Sequence, residues 1–279
     1  MRQLLLFLLT FVFCACSLYA WNDAGHMVVA EIAHRHLDPE VREEAERLIK
    51  VLQGHYPEQS SFITAATWAD EVARNGLLSF SSWHYFTNIY DPESILSESD
   101  MVRIKAENHQ NNVIWGIEQA LYTLGNPKAK DFEKGLMIRF LLHLAGDIHQ
   151  PMHNTTRFSD RFPEGDRGGN NYKLRGQIKN LHAFWDWGGG FLGDQSTVHA
   201  LADQAMAAFT FEQAQGLIEQ PVSAWSQESY FIAVSMAYQV EENSEPDQEY
   251  AEAVQQISKE RLALAGYRLA HVLNILFKR

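Results

Sequence analysis

His143-Leu-Ala-Gly-Asp147-Ile-His149-Gln-Pro151-Met-His153 sets three imidazoles and a carboxylate into a run otherwise as apolar as a core helix. Residues four apart share one face of an α-helix, so His143 and Asp147 can offer nitrogen and oxygen to one metal ion. Pro151 stops the helix, and the break lets His153 leave the helical face and serve a second ion nearby. His149, two residues past Asp147, is turned about half a helical turn from that face and is expected behind the ligands rather than among them.

Asn180-Leu-His182-Ala-Phe-Trp-Asp186 repeats the His-x-x-x-Asp spacing. A single such pair reads as simply as a buried histidine neutralised by a carboxylate, or as a solvated pair at helical spacing. The residues inside the two pairs are Leu, Ala and Gly in one and Ala, Phe and Trp in the other, and neither set makes a solvated face. Thr67-Trp68-Ala69-Asp70 and Ser82-Trp83-His84-Tyr85-Phe86 each add one coordinating group among aromatics; taken alone, either is as readily a turn carboxylate or a core histidine. His34, His36, His55, His109, His199 and His271 occur singly and read as structural or solvated.

Working outward from the first cluster, helical apolar periods are expected over residues 24–37, 39–52, 100–124, 134–149 and 248–277, the last a long helix capping the bundle. Pro39 suits a first helical position. Strand signals are confined to 83–89 and 171–174, so the class is all-α, with the glycine-rich loops 165–171 and 187–193 bordering the site.

Met1-Arg2 followed by the apolar run from Leu4 to Phe13 is too short to span a bilayer and reads as a signal peptide over 1–20, cut after Ala20. Trp21 would then begin a single domain over 21–279. The protein is expected to be secreted or periplasmic, a monomer, and without stable membrane association. Cys14 and Cys16 lie in the removed segment, and Phe13-Cys14-Ala15 is a poor acylation signal ahead of Cys16. The mature chain therefore has no thiol and is held by its core and its metals. A net charge of −12 excludes a broad basic surface for phosphates. Bound divalent ions would make the pocket locally positive.

Trp21-Asn-Asp-Ala-Gly25-His26, Trp68-Ala-Asp70, Trp83-His84-Tyr85, the 143–153 segment, Gly168-Gly-Asn170 and Asn180-Leu-His182-Ala-Phe-Trp-Asp186 resemble, in unchanged order, the extracellular zinc-dependent single-strand nucleases of the mung bean and fungal type. Residues 262–274 also look like that family's final helix. The resemblance implies a mainly helical domain of the phospholipase C/nuclease type with three Zn2+ per chain in a cleft. One zinc would take Asp70, His84, His143 and Asp147. Asp147 would bridge to a second held by His26 and by the amino nitrogen and carbonyl oxygen of Trp21, and the third would take His153, His182 and Asp186. The implied activity is endonucleolytic hydrolysis of single-stranded DNA or RNA by a hydroxide between the paired ions, giving 5′-phosphates, with 3′-nucleotidase action on nucleotides as a companion.

On the same resemblance, Asp70, Asp147 and Arg74 are the side chains expected at the reacting phosphate, and Tyr85, Phe86, Asn88, Asn170 and Tyr172 those expected to contact substrate. Two departures stand out: Ala73 occupies a position where many relatives carry a basic residue, with Arg74 next to it, and Thr87 replaces an acidic residue of the fungal members. A zinc-dependent phospholipase C is the competing enzyme, disfavoured by Asp186 where that group has glutamate and by the short Trp21 to His26 spacing. A helical binding module using zinc for stability is disfavoured because the third cluster offers only three protein ligands, whereas structural zinc sites are closed by four.

Overall fold

The computed structural model describes residues 21–193 and 196–278. The expected signal segment 1–20 lies outside them.

Helix α1, Asp23–Arg35, begins where the Asn22 side chain accepts from the Gly25 amide, with Asp23 in the electropositive first turn. α2, Pro39–Lys50, opens on proline and ends with Arg47 and Lys50 against its negative end. Two short helices follow, α3 (Phe62–Ala65) and α4 (Trp68–Arg74), and then a 3-10 helix, Leu78–His84. The strand β1 (Ile89–Tyr90) pairs in parallel with β2 (Thr156–Arg157), Ile89 opposite Thr156. Between them run α5 (Glu98–Glu107), α6 (Val113–Gly125), α7 (Asp131–Asp147) and the 3-10 turn Pro151–Asn154. The chain continues through α8 (Leu181–Asp186), α9 (Val198–Ala208), α10 (Phe211–Ile218), α11 (Val222–Ser235) and α12 (Gln248–Phe277). The class is all-α, as expected.

Two helices form the centre. α7 is buried on every side from Ile138 to Asp147 and packs on α6, α2, α12 and α1. α12, about 45 Å long at 1.5 Å per residue, does not cap the bundle but runs through it, touching α1, α2, α6, α7, α9 and α10. Gly266 lets it approach α1, since a Cβ there would lie 2.6 Å from Cβ of Ile32.

Three expectations need correction. The 100–124 period is two helices, because Asn112 caps α6 by accepting from the Trp115 amide while Asn111 turns left-handed at φ 58°. Residues 83–84 finish a 3-10 helix, so of 83–89 only Ile89 is strand, and 171–174 contributes only a bridge between Lys173 and Asn180. Helices α9 to α11 had no place in the sequence reading; Thr197 and the Thr210–Gln213 capping box mark two of their starts.

His149 points away from the metal-ligand candidates into a polar seam against α11 and α12. Its Nδ1 faces the Ala145 carbonyl at 2.7 Å and its Nε2 faces Nη1 of Arg268 at 2.9 Å. A carbonyl only accepts and a guanidinium only donates, so the ring is neutral with its proton on Nδ1. Burial, then Arg261 and Arg268, hold its pKa well below the usual histidine range. Arg268 and Arg261 converge on Glu228 at 2.7 and 2.8 Å. The expectation that His149 stands directly behind the ligands is replaced by this ion-pair network.

Candidate metal centre

Six elements deliver the coordinating side chains. α1 carries His26, α4 carries Asp70, and the Leu78–His84 turn ends on His84. α7 carries His143 and Asp147, the Pro151–Asn154 turn carries His153, and α8 carries His182 and Asp186. The Trp21 indole donates to the Gly146 carbonyl at 3.0 Å, and the Asn22 amide donates to the Asp186 carbonyl at 3.1 Å. The chain leading into α1 is thus tied to α7 and α8.

The groups close into three sets, the first two sharing His143: His26, Asp70 and His143; His84, His143 and Asp147; His153, His182 and Asp186. Asp147 Oδ2 lies 3.1 Å from His84 Nδ1 and 3.2 Å from His143 Nε2, and its Oδ1 lies 3.7 Å from His26 Nε2 and 3.6 Å from His153 Nδ1. One carboxylate therefore faces four imidazoles. Asp70 Oδ1 sits 3.5 Å from His143 Nε2, and the His26 ring stacks on His143 at 3.8 Å. In the third set, Asp186 lies 3.6 Å from His182 Nε2 and 3.9 Å from His153 Nε2. The carried-over ligands come together side chain by side chain, with His26 against Asp70 and His143 as well as Asp147.

Backbone carbonyls orient three of the rings. His143 Nδ1 donates to Ala66 at 2.8 Å, His153 Nδ1 to His84 at 2.6 Å, and His182 Nδ1 to Gly168 at 2.6 Å. Each bond places a proton on Nδ1 and aims Nε2 at the carboxylates, the arrangement that metal-binding histidines use.

The residues fit divalent cations. Both nitrogens of His26, Oδ2 of Asp70 and both oxygens of Asp147 are buried without a hydrogen-bond partner among the described residues. Lone pairs facing one another in an apolar pocket are costly unless a cation lies between them. Nitrogen and carboxylate donors together suit zinc.

The electrostatics separate the carboxylates. Burial opposes ionisation of Asp70, but His143, His84 and His26 outweigh it and take the carboxyl down to about 2. Asp147 likewise stays well below the usual range against burial, chiefly through His143. Asp186 goes the other way, because burial and the charges of Asp70 and Asp147 outweigh the hydrogen bond from Gln150. Burial, and then His143, push His26 down to about 3, so its ring is neutral and ready to coordinate.

Beside the sets opens a cavity of about 390 Å3 that His84, His153 and His182 line. Tyr85, 39% exposed, and half-buried Phe86 form part of its wall, and Asn170 is on it as well. Two of the expected substrate contacts, Asn88 and Tyr172, do not line that cavity. Asn88 donates to the Asn154 carbonyl at 2.8 Å and to Ser226 Oγ, which commits it to the scaffold. Tyr172 is 5% exposed, donates its hydroxyl to the Val240 carbonyl and packs edge-on against Tyr238. Arg74 lies one turn past Asp70, off the cavity wall, within 3.3 Å of Asp23 and 3.2 Å of Glu71.

Sequence reasoning passed over Gln150, which donates to Asp186 at 2.6 Å, and Asn154, which ties the turn by donating to the Ile148 and Gln150 carbonyls. Their signal was available: both are amides in a segment that is otherwise apolar or coordinating. The α5 wall, with Arg103 and Ile104, had no local signal.

Comparison with known proteins agrees with this architecture. The chain is similar to Nuclease S1 of Aspergillus oryzae, 26% identical over 92% of each chain. It is similar to Endonuclease 2 of Arabidopsis thaliana, 24% identical over 95% of this chain and 93% of the relative. It is also similar to Nuclease PA3 of a Penicillium species, 23% identical over 91% and 97%. The sequence profile described as S1/P1 Nuclease matches residues 21–278, and on that match the chain belongs to the S1/P1 nuclease family.

Proposed function

We propose that the processed chain is an exported zinc-dependent endonuclease that hydrolyses phosphodiester bonds of single-stranded DNA and RNA, releases 5′-phosphates and also acts on 3′-nucleotides. The observation that carries this reading is the convergence of three His/Asp sets beside one cavity, which His84, His153 and His182 line. Asp70, His84, His143 and Asp147 would hold one ion; His26 and Asp147, with the Trp21 amine and carbonyl, a second; His153, His182 and Asp186 a third. When bound, such ions supply Lewis-acid stabilisation of phosphoryl oxygens and lower the pKa of water toward neutrality.

The protein's own part is positioning. Asp147 sets the spacing between the first two sites because its oxygens face different imidazoles. Gln150 holds the Asp186 carboxylate in place, and the Ala66, His84 and Gly168 carbonyls fix the histidine tautomers. Arg74, one turn past Asp70, would bring positive charge to the phosphate by exchanging its partners Asp23 and Glu71. Tyr85 offers a face on which an unpaired base can stack, an interaction worth roughly 1–3 kcal/mol. A base still paired in a duplex cannot reach that face without being splayed out, which supports single-strand preference.

Export rests on the apolar 1–20 leader and on the requirement for a free Trp21 amine. The similar relatives are nucleases, and phospholipase C activity is not favoured. The test is to purify the processed protein, measure zinc by elemental analysis, and assay single-stranded DNA, single-stranded RNA, duplex DNA and phosphatidylcholine before and after chelation. Near three zinc per chain, with single-strand cleavage lost on chelation and restored by zinc, is the expected result. Undiminished cleavage by verifiably metal-free protein overturns the proposal.

A further inference from the structure

The loop Asp166-Arg167-Gly168-Gly169 holds three successive residues with positive φ: Arg167 at 57°, Gly168 at 61° and Gly169 at 80°. Glycine adopts this region freely, whereas an arginine there is held at a cost in free energy. The surroundings leave no way to relax it. On one side the Asp166 carboxylate accepts from the Arg157 amide at 3.0 Å and from the Tyr238 hydroxyl at 2.8 Å. On the other, the Gly168 carbonyl accepts from His182, and a Cβ at Gly168 would come 2.5 Å from the Met152 carbonyl oxygen. The loop therefore presents Arg167 at the cavity from a fixed base, one residue from the carbonyl that orients a metal-ligand histidine.

The other arginines of this neighbourhood are paired. Arg103 lies beside Glu107 and Asp100, Arg157 beside Glu93, and Arg161 beside Glu242. Arg167 is exposed, lines the cavity and forms no ion pair among the described residues. Glu164 shares the wall without pairing with it. In a chain of net charge −12, an uncompensated guanidinium on a strained, rigid base beside a phosphodiester-cleaving site is a candidate anion contact.

We propose that Arg167 binds a backbone phosphate of the single strand as it passes the His153, His182 and Asp186 set. This rests on the nucleolytic reading above. A guanidinium binds a phosphate wherever the chain supplies one, so the contact governs grip on the strand rather than base choice.

The test uses the processed, zinc-loaded enzyme and three variants. Arg167→Gln removes the charge, and Arg167→Gly removes the side chain while suiting the left-handed backbone. Lys128→Gln changes an exposed lysine outside the cavity and serves as the control. Steady-state cleavage of a single-stranded oligonucleotide is measured over a series of salt concentrations. Binding of a non-hydrolysable phosphorothioate analogue is followed in parallel by fluorescence anisotropy.

Both Arg167 variants should raise KM and weaken analogue binding about 10-fold or more, as loss of a charge-assisted hydrogen bond predicts, with kcat within about twofold of the parent. One fewer neutralised phosphate should also flatten the slope of log affinity against log salt by about 0.7. A merely structural role for the loop would leave that slope unchanged. If either variant binds the analogue with parental affinity and salt slope while the parent cleaves, the inference fails alone. If the zinc-loaded parent neither cleaves nor binds, the nucleolytic reading fails with it.

Discussion

Replacing Glu228 by Gln should cost the fold about 3 kcal/mol, because it leaves two core arginines facing a neutral amide. Arg268 is fully buried and Arg261 nearly so, and both are anchored to this one carboxylate at 2.7–2.8 Å. Removing one partner of a buried ion pair typically costs about 3–5 kcal/mol. Glu228 keeps 26% of its side chain exposed, so solvent screens part of the charge and the lower figure applies. For a domain of this size such a loss lowers the thermal midpoint by roughly 6–12 °C. Circular dichroism melting of parent and Glu228→Gln protein at saturating zinc measures it. A midpoint within about 2 °C of the parent would refute the reasoning.

The same carboxyl gives the difference a pH dependence. Burial opposes its ionisation, but Arg268 and Arg261 outweigh burial and keep its pKa below the ordinary 4.5. Its contribution is therefore complete above about pH 4.5 and is lost as pH falls through the lower folded-state value. The gap between the two melting curves should narrow in that acid window, and a gap that widened there would contradict the assignment.

Gly266→Ala sets two effects against each other. Helix propensity gains about 1 kcal/mol, overpacking costs about 1–3 kcal/mol, and a Cβ 2.6 Å from the Ile32 stem makes the second win, so chemical denaturation should show a net loss. Gln150→Leu removes the donor that steadies Asp186 and should weaken the His153, His182 and Asp186 site for zinc about 10- to 100-fold, read as preferential loss of one ion in a chelator titration. Tyr172→Phe should leave kcat/KM within twofold while costing about 1 kcal/mol of stability. Tyr85→Ala should cut kcat/KM on single strands by about 5- to 150-fold, corresponding to 1–3 kcal/mol of lost stacking.

The candidate ligands were legible because coordination needs particular atoms at particular helical spacings, and those spacings survive in one dimension. His143 with Asp147, and His182 with Asp186, announce themselves as pairs; Pro151 announces the turn that redirects His153. Aromatic residues carry no such mark. Tyr85 and Tyr172 look alike in sequence, and only packing reveals that one borders a cavity while the other is buried with its hydroxyl on the Val240 carbonyl. The break between α5 and α6 was hidden because apolar residues continue in phase on both sides of an asparagine cap. The seam of His149, Glu228, Arg261 and Arg268 joins positions far apart in the chain, so no local window contains it.

A single uninterrupted peptide from His143 to His153 supplies both neighbouring sites, with a helical register on one side of Pro151 and a tight turn on the other. Adding or deleting one residue between Asp147 and His153 would rotate His153 out of reach of His182 while leaving His143 and Asp147 in place. Length changes over evolutionary drift should therefore be purged from this stretch and tolerated in surface connections such as residues 126–130. A library of single-codon insertions, scored for nuclease activity, would trace that intolerance as a sharp trough.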